Sequence, residues 1–243
     1  MKNSLKFLTA AGLLLLGSLT AYNAALHTEY QLGTFKDPLR NYTALPLTNF
    51  NAVDVPAAGQ MNVKVEAGPF AVYVSKDAAK YVHVTQRGHR LTVALSYPEK
   101  ETWLGRDEAV IIRCPRLSLL TAGTTYTVAG QRKTVPRSKF YQTPGGVVVK
   151  GFAQDSLRLV QNQTAQVELA GNRLGRLRAE VGGTPGSTAE LDLNDDNRID
   201  ASDLHVEQSA KLVAKNLPLP ALRWHFGDSA RVELSGAALR GLR

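Results

Sequence analysis

The chain has 243 residues, which suits one medium-sized domain with an additional segment, and 44% of its residues are hydrophobic, as in an ordinary globular protein. This composition excludes a disordered chain and a polytopic membrane protein. The formal net charge is +8 at pH 7, but no nucleic-acid recognition motif accompanies the scattered basic residues, so nucleic acid is not expected as a partner.

An apolar segment opens the chain. Twenty uncharged residues, FLTAAGLLLLGSLTAYNAAL, lie between Lys6 and His27, and Lys2 and Lys6 precede them. This length matches a bilayer span, and the leading lysines favour a cytoplasmic N-terminus with an exported head. We therefore predict a transmembrane signal-anchor helix within residues 1–26 and a spacer over residues 27–45.

A cleaved signal peptide is the competing interpretation of residues 1–26. Cleavage requires small residues one and three positions before the cut. A cut after Ala21 would place Leu19 at the third position, and a cut after Ala24 would place Tyr22 there, so an uncleaved anchor is favoured. No cysteine follows the apolar core directly, which excludes a lipoprotein anchor. We expect the head in the cell envelope, membrane-anchored, or secreted or periplasmic if the leader is cut.

Residues 46–243 have the pattern of an all-β head. Short runs of alternating apolar and polar residues are broken by Gly, Pro, Asn and Asp, which predicts strands joined by tight turns. Apolar residues at alternate positions mark the first strand faces: Val63, Val65, Phe70, Val72, Val74, Val82, Val84, Leu91, Val93 and Leu95. No stretch of the head keeps a helical period over three turns, which argues against an α/β fold and its nucleotide site.

The second half of the head repeats itself. A phrase of Ser or Thr, Ala, any residue, aliphatic, any residue, and small or aliphatic starts at four positions spaced by 24, 21 and 20 residues: Thr164, Thr188, Ser209 and Ser229. Companion strands start between these phrases, at Leu157, Leu177, Leu204 and Leu222. A period near 20 with short strands and no helix predicts a β-solenoid, a β-helix-like stack in which each coil buries its aliphatic residues against its neighbours.

The order of these segments resembles the head GIN domain family, described as heads of proposed autotransporter adhesins. The resemblance covers about residues 46–240, from NFNAVDVPAAGQMNVKVEAGPFAVYV through VHVTQRGHRLTVAL to the Ser/Thr-Ala repeats. It implies a β-helix-like head displayed in the bacterial envelope with an adhesive role. An autotransporter would also need a membrane barrel, and none follows before Arg243, so adhesion is expected from an inner-membrane tether or through partners.

One segment has the spacing of a calcium-binding loop. Counted from Asp192, oxygen-bearing side chains stand at positions one, three, five, nine and twelve: Asp192, Asn194, Asp196, Asp200 and Asp203. Alternating hard oxygen ligands are what Ca²⁺ requires, and Asn197 at the sixth position can adopt a left-handed turn. Against calcium, position twelve lacks the usual Glu and neither flank is helical. The segment also aligns with GNRLGRLRAEV of the preceding repeat, so these residues can equally turn the chain at a solenoid corner.

A basic cluster lies in a Pro-containing stretch that is predicted to be a loop. It contains Arg132, Lys133, Arg137 and Lys139. A solvated loop is the ordinary interpretation of such a run, and contact with an acidic glycan or a lipid headgroup is the functional one.

The remaining side chains of chemical interest favour structural interpretations. His205 and His225 occupy the same place in consecutive repeats and are predicted to stack as an exposed pair, since two histidines without a third ligand make a weak metal site. Trp224 and Phe226 alternate around His225, which predicts an aromatic face for packing or glycan contact. Cys114 lies in an apolar run and is predicted to be a buried thiol.

No catalytic motif is present, and we expect no enzyme and no obligatory cofactor. Because some β-helices act on polysaccharides, four carboxylates deserve comparison: Asp155, Glu168, Asp192 and Glu233, of which the last three share one column of the repeats. The leading hypothesis is a membrane-tethered structural or adhesive head that binds a glycan, a surface or an envelope protein. The alternatives are a calcium-stabilised binding module and a carbohydrate-active enzyme.

Overall fold

The computed structural model describes residues 2–33, 36–102, 104–134 and 145–242. The chain divides into two compact units between Tyr42 and Thr43. The first unit contains a long helix and the second contains the β-strands of the head. The described chain is therefore mostly β, with one N-terminal apolar helix.

Helix α1 spans Lys2–Leu32 and contains 31 residues. Its apolar part lies within Leu5–Leu32, where a stretch of 18 residues has a mean hydropathy of 1.5 and exposed side chains. At a rise of about 1.5 Å per residue the helix is roughly 46 Å long, against about 30 Å for the hydrocarbon core of a bilayer. Such a helix is long and apolar enough to cross a membrane, and an N-terminal signal sequence meets the same criteria.

The C-terminal end of α1 lies within the segment that was predicted to be a spacer. The helix continues beyond residue 26 because His27–Leu32 contains neither Gly nor Pro. It ends at Gly33, whose φ of 65° is readily adopted by glycine and whose backbone N–H donates to the carbonyl oxygens of Glu29 and Tyr30.

Strands make up most of the head. In chain order they are β1 Tyr42–Leu45, β2 Ala52–Val55, β3 Asn62–Ala67, β4 Ala71–Ser75, β5 Val82–Arg87, β6 Arg90–Tyr97, β7 Glu108–Cys114, β8 Leu119–Ala122, β9 Thr125–Val128, β10 Gln131–Thr134, β11 Gly146–Lys150, β12 Ala153–Gln161, β13 Gln166–Ala170, β14 Arg173–Val181, β15 Glu190–Leu193, β16 Arg198–Val206, β17 Lys211–Lys215, β18 Ala221–Phe226 and β19 Arg231–Ser235. A 3₁₀ helix, Gly236–Leu242, follows the last strand.

Over the described ranges these strands form two sheets. The nine-stranded sheet has the order β1-β4-β7-β3-β11-β13-β15-β17-β19. The ten-stranded sheet has the order β10-β9-β6-β2-β8-β12-β14-β16-β18, and β5 pairs with β6 beside it. Antiparallel pairs occur among the earlier strands, at β4 with β7, β5 with β6 and β9 with β10.

From β11 onward the chain alternates between the two sheets. Each odd-numbered strand joins the nine-stranded sheet and each even-numbered strand joins the ten-stranded sheet, parallel to its predecessor there. Strands β13, β15, β17 and β19 each begin two residues after the start of one of the four Ser/Thr-Ala phrases. One sequence repeat therefore adds one strand to each sheet.

The leucines that start the four companion strands are not all register partners of one another. Leu157 pairs with Leu177, but the next residue in this column is Ser202. Leu204, which starts the third companion strand, lies two residues after Ser202 and pairs with Ala179. A shift of two residues leaves the same face buried, because side chains alternate between the faces of a strand.

The inward columns of both sheets share one hydrophobic core. Leu169 and Leu191 enter it from the nine-stranded sheet, and Leu157 and Leu159 enter it from the ten-stranded sheet, each at most 1% exposed. Cys114 is also completely buried, and desolvation raises the pKa of its thiol to about 12, which keeps the thiol protonated and unreactive. The prediction of a buried structural thiol is confirmed.

Candidate functional site

A groove of about 410 Å³ crosses the starts of β3, β11, β13 and β15. Its charged lining residues are Arg106, Glu108, Glu168, Glu190 and Asp192. Glu168 and Asp192 enter the groove together because they are register partners on β13 and β15. The groove therefore collects acidic side chains from neighbouring strands.

The predicted column of carboxylates is present in the nine-stranded sheet. Glu168 pairs with Asp192, and Glu233 lies two strands further along, with Val213 between them. Asp155 is apart from this column, on β12 of the ten-stranded sheet, where its side chain is 97% exposed. Only Glu168 and Asp192 of these four line the groove.

The environment of Asp192 favours its protonated form. Burial raises the pKa of its carboxyl, and the negative charges of Glu168 and Glu190 raise it further. Glu168 has a different environment, because its Oε1 accepts a hydrogen bond of 2.7 Å from the side-chain amide of Asn194. The carboxyl oxygens of Glu168 and Asp192 both line the groove and can accept hydrogen bonds from a hydroxyl-rich ligand.

Lys211 offsets part of the acidic charge near the groove. Its Nζ lies 2.9 Å from Glu233 Oε1 and 3.4 Å from Glu190 Oε1. The hydrogen bond to Glu233 is the main cause that raises the pKa of Lys211, and this contact also lowers the pKa of Glu233. Lys211 and Glu190 are only 22% and 21% exposed, whereas Glu233 is 54% exposed. The pair with Glu233 is therefore open to solvent on one side and contributes little to stability.

The predicted calcium ligands are divided between the two sheets. Asp192 lies in β15, whereas Asp200 and Asp203 lie in β16 of the ten-stranded sheet. Between these strands, Asp196 Oδ1 accepts a 2.8 Å hydrogen bond from the backbone N–H of Gly171. Within the described ranges, no group of three or more His, Cys, Asp or Glu side chains is placed to hold a metal ion. Calcium binding stays a prediction.

The alternative to a calcium site is a structural corner of the chain, and a hydrogen-bonded pair of asparagines supports this interpretation. Arg173 and Arg198 are register partners, so Asn172 and Asn197 occupy equivalent corner positions just before them. Asn197 Oδ1 accepts hydrogen bonds of 3.0 Å from both the backbone N–H and the side-chain amide of Asn172. Both side chains are buried, with exposures of 0% and 6%.

These asparagines also satisfy backbone groups inside the corner. The Asn172 amide donates to the Val149 carbonyl, and its Oδ1 accepts from the Phe152 N–H, both at 3.0 Å. The Asn197 amide donates to the Leu169 carbonyl at 2.6 Å. Sequence reasoning did not single out Asn172, although its signal was present: the dipeptide Asn-Arg recurs at 172–173 and 197–198.

We expect Asp192→Asn to raise the melting temperature of the head at pH 7. The raised pKa of Asp192 means that its ionised form costs the folded state free energy at neutral pH. The unfolded state binds this proton less tightly, so the cost disappears as the pH falls through the folded pKa. The gain should therefore be present at pH 7 and shrink towards pH 4, as measured by thermal unfolding.

Asp155→Asn is the matched control, because this carboxylate is almost fully exposed, and no change in melting temperature is expected. The measurements are made in millimolar calcium and in chelator. A loss of stability in Asp192→Asn that occurs only with calcium would contradict this expectation and identify a calcium site.

The predicted basic loop is a strand over its first half. Arg132 and Lys133 lie on β10, which pairs antiparallel with β9, and the loop prediction is wrong for these two residues. The regular backbone pairing of the Gln131–Thr134 segment outweighs its polar composition. Lys133 Nζ lies 3.1 Å from Glu101 Oε1. Arg137 and Lys139 lie outside the described residues.

The two histidines lie side by side, as predicted, with their ring planes tilted by 36°. His205 and His225 are register partners on β16 and β18, and their ring centroids are 5.9 Å apart. Each has an acidic neighbour: Asp203 Oδ1 lies 3.1 Å from His205 Nε2, and Glu207 Oε1 lies 3.2 Å from His225 Nε2. They form an exposed polar pair on the outer face.

The aromatic residues beside this pair also lie together. The rings of Trp224 and Phe226 stack with centroids 4.9 Å apart, and Trp224 is 53% exposed. Trp224 belongs to the inward column that contains Leu204, but it lies on β18, the last strand of this sheet in the described chain. The exposed ring therefore marks the end of the stack.

No protein-family profile and no curated protein sequence matches this chain. Among solved structures, the chain is similar to a proposed adhesin from Parabacteroides distasonis, with 12% identity, a TM-score of 0.39, and coverage of 79% of this chain and 95% of that one. A proposed adhesin from Bacteroides fragilis has 10% identity, a TM-score of 0.38, and coverage of 80% and 95%. A proposed lipid-binding protein from Parabacteroides distasonis has 11% identity, a TM-score of 0.38, and coverage of 80% and 94%. At these identities and TM-scores the similarity carries no conclusion about what this chain binds.

Proposed function

We propose that this chain is a membrane-tethered, non-catalytic binding protein of the cell envelope. The observation that carries the proposal is the distribution of exposed apolar side chains. Of the fourteen large hydrophobic residues that are exposed in the described part of the chain, twelve lie in α1, and the other two are Trp224 and Leu239. A continuous apolar surface of this kind is unfavourable in water and favourable in a bilayer, whereas the head has the surface of a water-soluble unit.

We further propose that β11–β19 are coils of a β-solenoid, and that the head belongs to the head GIN domain family. The alternation of the chain between two sheets supports the first proposal, because each repeat adds one strand to each sheet and packs against its neighbours. The order of the repeated segments along the sequence supports the second. A rigid stack of parallel strands presents its outward side chains in fixed columns, which suits binding of an extended ligand.

Membrane fractionation of the full-length chain tests this proposal. We expect the protein, expressed in a bacterial host, to stay in the membrane pellet after an alkaline carbonate wash. A variant that lacks residues 2–32 should be soluble. The double variant Leu14→Arg, Leu16→Arg keeps the length of α1 but should also leave the membrane, because each arginine at the helix centre costs about 2.5–3.5 kcal/mol.

A full-length chain in the soluble fraction would contradict the tether. If the soluble protein also had a lower mass, by the mass of residues 1 to about 26, the leader would be a cleaved signal peptide instead.

A further inference from the structure

The outer face of β12, β14, β16 and β18 is rich in arginine. These four strands carry six arginines and no lysine: Arg158, Arg173, Arg176, Arg178, Arg198 and Arg223, here named the arginine face. All six are exposed. The same strands carry four acidic residues, Asp155, Glu180, Asp200 and Asp203. The adjacent strands of the other sheet, β13, β15, β17 and β19, have four acidic and only three basic residues, so the excess positive charge is confined to one sheet.

Three of the six arginines of the arginine face form ion pairs with acidic residues. Arg158 lies 2.9 Å from Glu180, Arg178 lies 3.8 Å from Glu180 and 4.0 Å from Asp203, and Arg198 lies 3.8 Å from Asp200. Exposed pairs of this kind contribute about 0–1 kcal/mol each to folding. The fold therefore does not depend on them.

The other three arginines, Arg173, Arg176 and Arg223, have no carboxylate within 4.0 Å among the described residues. An exposed guanidinium that forms no ion pair keeps its five N–H donors for a ligand. Their replacement by glutamine would break no ion pair of the fold.

Strand register fixes the spacing of the arginines. Arg158 and Arg178 are direct partners, as are Arg173 and Arg198, whereas Arg178 and Arg223 are two strands apart with Asp203 between them. Neighbouring strands are about 4.8 Å apart, so the backbones of these positions repeat at about 5 and 10 Å. Arg173 and Arg176 lie three residues apart on β14, roughly 10 Å along the strand, and Arg223 lies two strands away from β14. A linear polymer with an anionic group on each sugar or on every second sugar has charges at comparable intervals.

We propose that the arginine face binds an acidic polysaccharide, with carboxylate groups of the polymer paired to Arg173, Arg176 and Arg223. Guanidinium groups bind carboxylates in a bidentate manner, which gives geometric selectivity as well as charge attraction. A polymer is favoured over a bilayer because the face is a regular array of charged side chains, and Trp224, the large exposed apolar residue of β18, belongs to the opposite, inward column. This inference rests on the binding role proposed above and names its ligand class.

The test compares two triple variants of the full-length chain in detergent. Arg173→Gln, Arg176→Gln, Arg223→Gln removes three charges from the arginine face. Lys150→Gln, Lys215→Gln, Arg231→Gln removes three exposed charges from the nine-stranded sheet and so changes the net charge equally. The probes are polygalacturonate and, as the neutral control, dextran, with binding measured by calorimetry at low and high salt.

We expect polygalacturonate, but not dextran, to bind the wild-type chain, and its affinity to fall as salt is added. The arginine-face variant should bind roughly tenfold more weakly, as three lost exposed charge pairs imply, while the nine-stranded-sheet variant binds nearly as tightly as wild type. Equal weakening in both variants would overturn the proposal, since net charge alone would then explain binding. Absence of binding to polygalacturonate would also overturn it.

Vesicles of phosphatidylglycerol and phosphatidylcholine test the competing ligand class. If binding to these vesicles requires the three arginines and polygalacturonate does not bind, the face is a membrane-docking surface and the polysaccharide assignment is wrong. A chain that is membrane-bound in the fractionation experiment but binds no polyanion would overturn this inference alone. A chain that binds the polymer but is soluble would overturn the tether alone.

Discussion

Replacing Asn172 with aspartate is expected to destabilise the head by about 3–5 kcal/mol. The substitution keeps the size of the side chain but replaces a donor with an acceptor. The new oxygen would face the Val149 carbonyl and Asn197 Oδ1, both of which now accept hydrogen bonds of 3.0 Å from the Asn172 amide. The site is fully buried, so water cannot substitute for the lost donor.

The destabilisation by Asn172→Asp should depend on pH. Burial and the two facing acceptors raise the pKa of the introduced carboxyl, and its protonated form recovers one donor. The deficit in unfolding free energy should therefore be largest at neutral pH and smaller in mild acid. Chemical denaturation of the variant and the wild type at pH 7 and at pH 5 measures this deficit at both pH values.

Asn162→Asp is the matched control for this substitution. Asn162 Oδ1 accepts a 3.0 Å hydrogen bond from the Thr184 N–H at an exposed corner, and aspartate can accept the same bond. We expect its unfolding free energy to stay within about 0.5 kcal/mol of wild type. Equal stability of the two variants would show that the buried asparagine pair does not hold this corner together.

Leu191→Ala is expected to cost about 2–5 kcal/mol. Leu191 is completely buried and lies in an inward column between Val167 on β13 and Leu212 on β17. Removing its three terminal carbons leaves a cavity that touches both neighbouring strands. Because the column is built from register partners, the backbone cannot close this cavity without disturbing the pairing on both sides.

Leu119→Ala, which removes the same atoms from an outward position of β8, is the control. Leu119 is only partly buried, and we expect Leu119→Ala to lower the unfolding free energy by less than half as much as Leu191→Ala. The denaturation midpoints of the two variants make the comparison. A larger effect at Leu119 would mean that the assignment of inward and outward columns is wrong.

The repeats allowed much of the second half of the head to be predicted. The Ser/Thr-Ala phrases begin just before β13, β15, β17 and β19, and the pairing of His205 with His225 follows from their equal places in consecutive repeats. The alignment of the Asp192 segment with the preceding repeat likewise anticipated the pairing of Arg173 with Arg198. Periodicity determines these features because one repeat adds one strand to each sheet.

Features that depend on contacts between distant residues could not be predicted in this way. The antiparallel pairing of β4 with β7 joins segments with no common period, and β10 forms from a polar, exposed run because β9 pairs with it. Burial of Asn172 depends on backbone groups of Val149 and Phe152 in another repeat. The groove likewise depends on which strands become neighbours in the sheet.

Labelling of an exposed thiol on unlysed spheroplasts would establish on which side of the membrane the head lies. Asp155→Cys in the full-length chain places a thiol at a position that is 97% exposed, and the wild-type chain is the control because its one cysteine, Cys114, is buried. We predict that a membrane-impermeant maleimide labels the membrane-bound variant in spheroplasts without lysis and leaves wild type unlabelled. Labelling that occurs only after lysis would place the head in the cytoplasm and contradict an exported, membrane-tethered binding protein.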